Sequence, residues 1–154
     1  MLFMINEAKF IEREITLRNM SLTKEVLETR RSLIRWLALA LGVINPGESR
    51  QQMLPVLDAI MHFQFVQRKD PRVDELMDYI EKHWAQINEK TLRYHLLQLK
   101  KAKIVNNSKG RYFLTQPSIG DRYDEESWVN SYLSSEINPI KEKVVIAIKG
   151  LKSR

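Results

Sequence analysis

Residues 86 to 116, QINEKTLRYHLLQLKKAKIVNNSKGRYFLTQ, constrain this chain more than any other stretch. Leu92, Leu96, Leu99 and Ala102 recur at intervals of four, three and three, which predicts a helix over 88–103 with one apolar side. Ile104-Val105-Asn106-Asn107 and Arg111-Tyr112-Phe113-Leu114-Thr115 are short runs rich in β-branched and aromatic residues. Between them, Ser108-Lys109-Gly110 supplies the glycine that a tight hairpin needs. A helix running straight into a hairpin with a basic tip is the expectation.

Charge sharpens that reading. Between Asn88 and Arg111 the basic residues are Lys90, Arg93, Lys100, Lys101, Lys103, Lys109 and Arg111, seven in all, against the single acid Glu89. The difference, +6, equals the formal net charge of the whole chain, so the other 18 basic and 18 acidic residues balance. Excess positive charge confined to one helix and one hairpin is the footprint expected for a phosphate backbone. A solvated cationic face is the bland alternative.

NEKTLRYHLLQLKKAKIVNNSKGRYFLT resembles the recognition helix and wing of winged helix-turn-helix transcription regulators. With the NPGESR turn ahead of it, the wider pattern is similar to uncharacterised winged-helix proteins of archaea. The resemblance implies a DNA-binding regulator whose helix enters the major groove with the wing alongside. It places base reading in the N-terminal half of the helix, which here means Asn88, Lys90, Arg93 and Tyr94. Arg93 has the paired donors that match guanine. Lys100, Lys101 and Lys103 are expected on phosphates or in solvent, and Lys109 and Arg111 on the backbone or in the minor groove. Leu97 is a misfit on the face where a DNA reader carries polar residues, and it favours a rival reading as a protein-interaction module in a transcription or replication assembly. RNA binding through the same basic surface is a third reading.

The rest of the chain reads as mostly helical. Phe3, Phe10, Ile11, Ile15 and Leu17 lie among charges in residues 1–20, fitting either a packed helix or a strand-like arm near Arg13 to Leu17. Ser21 is a cap for a long helix that ends at Gly42, and its second half, LIRWLALAL, is apolar nearly all round. After the Asn45-Pro46-Gly47 turn, Ser49 is expected to cap a helix through Val66, with Pro55 kinking it or delaying its start. These two helices are expected to form an antiparallel hairpin that either dimerises or completes one core. Asp70-Pro71 opens a helix with Val73, Leu76, Met77, Ile80 and Trp84 inward. Only Ala85 to Asn88 separate it from the next helix, so either it ends near Tyr79 and residues 81–86 supply a second helix, or that second helix is reduced to a turn. Past the hairpin, a Pro/Ser/Gly linker leads to a short helix at 124–133 and a final helix from Asn138-Pro139. The stripe of that final helix, Ile140, Val144, Ala147, Ile148 and Leu151, needs the N-terminal helices or a second subunit to cover it.

The expected fold is therefore mainly α with a small β-hairpin wing: a winged helix-turn-helix at 69–117, an N-terminal helical hairpin at 1–68 as a possible dimerisation region, and a C-terminal helical extension at 118–154. A homodimer on double-stranded DNA in the cytoplasm is the expected setting. With 44% hydrophobic residues the chain can build a core, and with no cysteine it has neither disulfides nor thiolate metal sites. The longest apolar run, Leu33 to Ile44, contains Arg35 and is shorter than the roughly 20 residues of a membrane span. No basic n-region precedes an apolar core, so no signal peptide and no membrane association are expected. His62, His83 and His95 lack ligand spacing, and no nucleophile motif or phosphate-cradling loop is present. Neither catalysis, a metal nor a cofactor is expected.

Overall fold

The computed structural model describes residues 6–48 and 52–154, which form two compact units, 1–47 and 48–154. The boundary expected at residue 68 falls inside the second unit, and the cap expected at Ser49 lies outside the described residues. The described chain is mainly helical, with one antiparallel two-stranded hairpin.

In the first unit, a 3₁₀ turn (Glu7–Phe10) leads into an extended arm and two helices, α1 (Lys24–Glu28) and α2 (Arg30–Ala40). The arm, one of the two forms open to residues 1–20, packs along α2. Arg18 N–H donates to the Ala40 carbonyl at 2.9 Å, and its guanidinium donates to the carbonyls of Leu39 (2.7 Å) and Ile44 (3.0 Å). A cation on the last carbonyls of a helix satisfies orphan acceptors and complements the helix dipole. The single long helix expected from Ser21 is instead broken at Thr29, which is extended at φ −129°, ψ 148°. The reason is local: Thr29 Oγ1 accepts from Ser32 N–H at 3.1 Å, and such side chains trade helix continuity for a cap. Thr23, not Ser21, caps α1. Gly42 closes α2 as expected. With φ at +72° it lets Val43 N–H reach the Ala38 carbonyl, and an added Cβ would strike the Thr16 carbonyl oxygen.

The second unit contains α3 (Met53–His62) continued by a π-helical turn (Phe63–Gln67), α4 (Val73–His83), α5 (Glu89–Lys101), β1 (Val105–Ser108), β2 (Arg111–Leu114) and α6 (Glu125–Lys152). Pro55 sits in the first turn of α3, where its missing N–H costs no helical bond, so it acts on the start rather than as a kink. α3 packs against α4, α5 and β2, so the helix placed in the N-terminal region by sequence is the first of a three-helix cluster. Val56, Leu57 and Ile60 of α3 meet this core with Leu76 and Ile80 of α4 and Leu92, Leu96 and Leu99 of α5. Ile104, Val105 and Leu114 close it beneath the hairpin.

That arrangement resolves the crowding before α5. α4 runs on to His83 and does not end near Tyr79, and 85–88 are simply the turn between α4 and α5. Asp70-Pro71 does not open α4. Instead the Pro71 carbonyl accepts from Tyr112 N–H at 2.9 Å, and Arg72 bridges antiparallel to Arg111, adding a single strand position beside β2. α4 starts one residue later, where Glu75 accepts the Arg72 N–H at 3.1 Å.

Two buried polar groups tie the elements together. Asp58 on α3 accepts from Tyr79 Oη–H at 3.1 Å and Trp84 Nε1–H at 2.8 Å on the α4 side. Gln64 donates to the Arg122 carbonyl at 2.5 Å and accepts from Leu114 N–H at 3.3 Å, pinning both the hairpin and the segment after it. Arg122 itself lies over the Phe113 and Tyr123 rings and pairs with Asp70. The C-terminal region is one continuous α6, not the two helices expected. Asp124 caps it, accepting from Ser127 N–H at 2.9 Å, and it runs through Pro139, which leaves the Ser135 carbonyl without its usual helical donor.

Candidate nucleic-acid interface

α5 is positioned by its inner leucines. Leu92, Leu96 and Leu99 are fully buried against α3 and α4, which turns Lys90, Arg93, Tyr94, Leu97 and Lys101 outward. The helix ends in a Schellman arrangement: Lys103 adopts φ +61°, its N–H donates to the Lys100 carbonyl, and Ile104 N–H donates to the Leu99 carbonyl. That reversal drives the chain directly into β1. The hairpin turn has Lys109 at φ +53° and Gly110 at φ +76°, two successive left-handed residues as a type I′ turn requires. Lys109 is thereby presented at the exposed tip, with Asn107 facing Tyr112 and Ser108 facing Arg111 across the pair.

The residues singled out from sequence fall into three groups. Lys90, Arg93, Tyr94, Lys101, Lys103 and Lys109 are exposed on α5, its C-terminal reversal and the hairpin tip. Arg93 is held by Glu89 at 3.0 Å, an i,i+4 pair with both side chains more than half exposed, so it contributes little to stability and orients the guanidinium. Lys100 donates to Asn107 Oδ1 at 2.8 Å and joins α5 to β1.

Asn88 and Arg111 are committed elsewhere. Asn88 Oδ1 accepts from Thr91 N–H at 2.7 Å as the N-cap of α5. Arg111 turns away from the tip, donates to the Asp70 carbonyl at 2.8 Å and lies 3.7 Å from Glu75. Glu75 gathers Lys69, Arg72 and Arg111, and the hydrogen bond from Lys69 holds its carboxyl below the usual carboxylate range. Glu89, Glu75 and Asn107 thus organise the basic side chains, a role the sequence analysis had not assigned to them. The i,i+4 spacing of Glu89 and Arg93 was the one signal available in advance.

Tyr94 (57% exposed) and Leu97 (48%) add an apolar element to the outer face. Beside them, burial pushes the His95 imidazole below its ordinary value of 6.5, and its Nδ1 has no hydrogen-bond partner. The folded state therefore favours neutral His95, and the unfolded chain takes up the proton below pH 6.5. The stability due to this burial is complete above pH 6.5 and falls as pH drops below it. We expect the urea midpoint of the parent to decline from pH 7.5 to 5.5 more steeply than that of His95→Leu. Parallel profiles would show that His95 titrates alike in both states.

Among the described residues no cluster of histidine, cysteine or acidic side chains could hold a metal, and no helix is long and apolar enough to cross a membrane. Comparison with family models, with curated proteins and with solved structures gives no match.

Proposed function

We propose that residues 53–114 form a winged helix that binds double-stranded DNA as a transcription regulator. The supporting element order is helix, single strand position, helix, turn, helix and hairpin, with α4 and α5 as the helix-turn-helix pair and β1–β2 as the wing. One observation carries the reading: basic residues equal in excess to the whole chain's net charge lie on the outward side of α5 and on the hairpin, while the inner side of α5 is buried.

In this reading α5 enters the major groove. Lys90, Arg93 and Tyr94 reach base edges near its N-terminus, where Arg93 gives roughly 1–3 kcal/mol of discrimination on a guanine. Asn88 serves as the cap that starts the helix. Lys100, Lys101, Lys103 and Lys109 contact phosphates, and Arg111 anchors the base of the wing. The protein is non-catalytic, cytoplasmic and dimeric, and acts by blocking or recruiting polymerase.

The test separates reading from holding. Arg93→Ala should flatten sequence preference in a selection from random duplexes. Lys109→Ala should weaken all sequences about equally and lower the salt slope by about 0.9. Equal effects from both variants would overturn these roles, and no binding at low salt by the folded protein would overturn DNA binding itself. The exposed Tyr94 and Leu97 favour a second reading, a protein-interaction surface, which requires binding that neither salt nor Arg93 affects.

A further inference from the structure

We propose that Leu97, flanked by Tyr94, reads the 5-methyl group of a pyrimidine in the major groove, so that the preferred duplex carries thymine or 5-methylcytosine beneath the middle of α5. This inference rests on the DNA reading above and names the base chemistry that the helix selects. The placement follows from helical geometry. At about 3.6 residues per turn, Lys90, Tyr94, Leu97 and Lys101 fall on one line along α5, at intervals of four, three and four. That line lies opposite the buried Leu92, Leu96 and Leu99, so it is the part of α5 furthest from the core. Tyr94 and Leu97 are both exposed there, three residues apart and therefore neighbours on the helix surface. A single exposed leucine is ordinary. This one stands in the middle of the surface that carries the chain's whole excess charge.

Charge identifies what the pair meets. Lys90 and Arg93 lie on its N-terminal side, Lys100 and Lys101 on its C-terminal side, and no acidic residue occurs between Lys90 and Arg111. A surface complementary to this face is anionic at both ends and apolar between. Duplex DNA has that order across its major groove, which is about 12 Å wide. Phosphates line both rims, and the apolar group that the base edges present on the floor is the C5-methyl of thymine. With Lys101 on a phosphate, Leu97 lies about one helical turn, or about 5 Å, further in.

Neither the minor groove nor RNA offers the same contact. The minor-groove edges of the base pairs carry hydrogen-bonding groups and no methyl, so the wing cannot take over this role from Leu97. RNA carries uracil, which lacks the methyl, and its deep, narrow major groove is closed to side chains. The apolar pair on the outermost line of α5 therefore selects DNA over RNA as well as one base class over another.

The test uses the full chain and duplexes selected by it from a random pool built with thymine. The enriched pool is re-amplified with deoxyuridine triphosphate in place of thymidine triphosphate, which removes the methyl and changes no base-pairing group. The parent should bind the thymine pool about fourfold more tightly for each methyl buried. Re-amplification with 5-methyldeoxycytidine triphosphate adds the same group to cytosine, and tighter binding there would make methylated cytosine a source of the methyl. Leu97→Ala should bind the methylated and unmethylated pools alike, whereas Lys101→Ala should weaken both and keep their ratio. Leu97→Met, which keeps an apolar tip, should retain the discrimination. A methyl effect in neither comparison, or one that persists in Leu97→Ala, would overturn this inference and leave the DNA reading standing. No binding to any duplex at low salt by the folded protein would overturn both and give Tyr94 and Leu97 to a protein partner.

Discussion

Replacing Lys100, Lys101, Lys103 and Lys109 together with glutamine is expected to remove most of the salt dependence of DNA binding. Each phosphate contact contributes about 0.9 to the slope of log affinity against log salt, so four losses should lower it by about 3 to 4. At 0.2 M salt the quadruple variant should bind random duplex at least about 10²-fold more weakly than the parent. All four side chains are exposed and none supports the core, so the thermal midpoint should stay near that of the parent. Lys100 donates to Asn107, which is itself exposed, so its loss leaves no buried group unpaired. The measurement is a titration of labelled duplex at two salt concentrations. A slope unchanged in the folded variant would make the basic surface a solvated face and give precedence to a protein partner.

Gln64→Leu should produce the largest loss of stability among single surface-neutral changes. Gln64 is 2% exposed, and its amide alone serves both the Leu114 N–H and the Arg122 carbonyl in the described contacts. Leucine fills similar space and leaves the buried Leu114 N–H and the part-buried Arg122 carbonyl without those bonds. A buried unsatisfied group costs about 1–3 kcal/mol and a part-buried one less, so the variant should lose roughly 2–4 kcal/mol, a large share of a typical stability of about 5–15 kcal/mol. Urea unfolding of the full chain reads this directly. Gln67→Leu, on an exposed neighbour, should change stability by about 0.5 kcal/mol or less and serves as the control. Equal losses from the two would mean that the Gln64 amide is not what fixes the hairpin to α3.

The two predictions draw on opposite kinds of information. The lysines are legible in the linear chain, because the leucine spacing of α5 decides which residues turn outward whatever they face. Gln64 is not. It sits in an apolar run, FQFV, and nothing local distinguishes a buried bridging amide from a solvated one. The same holds for Asp58, whose partners Tyr79 and Trp84 stand 21 and 26 residues away.

By itself, the sequence determined the elements whose causes are local. Apolar spacing placed α5, the glycine of Ser108-Lys109-Gly110 marked the hairpin turn, Gly42 closed α2, and the charge census located the basic surface. Local chemistry also held signals that were read otherwise: Thr29 breaks the first long helix because its hydroxyl caps better than it continues. Only the tertiary structure decided what each apolar face meets. It made α3 the first helix of the cluster, turned Pro71-Arg72 into a strand position beside β2, engaged Arg111 with Asp70 and Glu75, and carried α6 through Pro139. The physical reason is that periodicity specifies which side of an element must leave water but not which partner covers it. That choice is settled by packing and by the pairing of buried polar groups across long sequence separations.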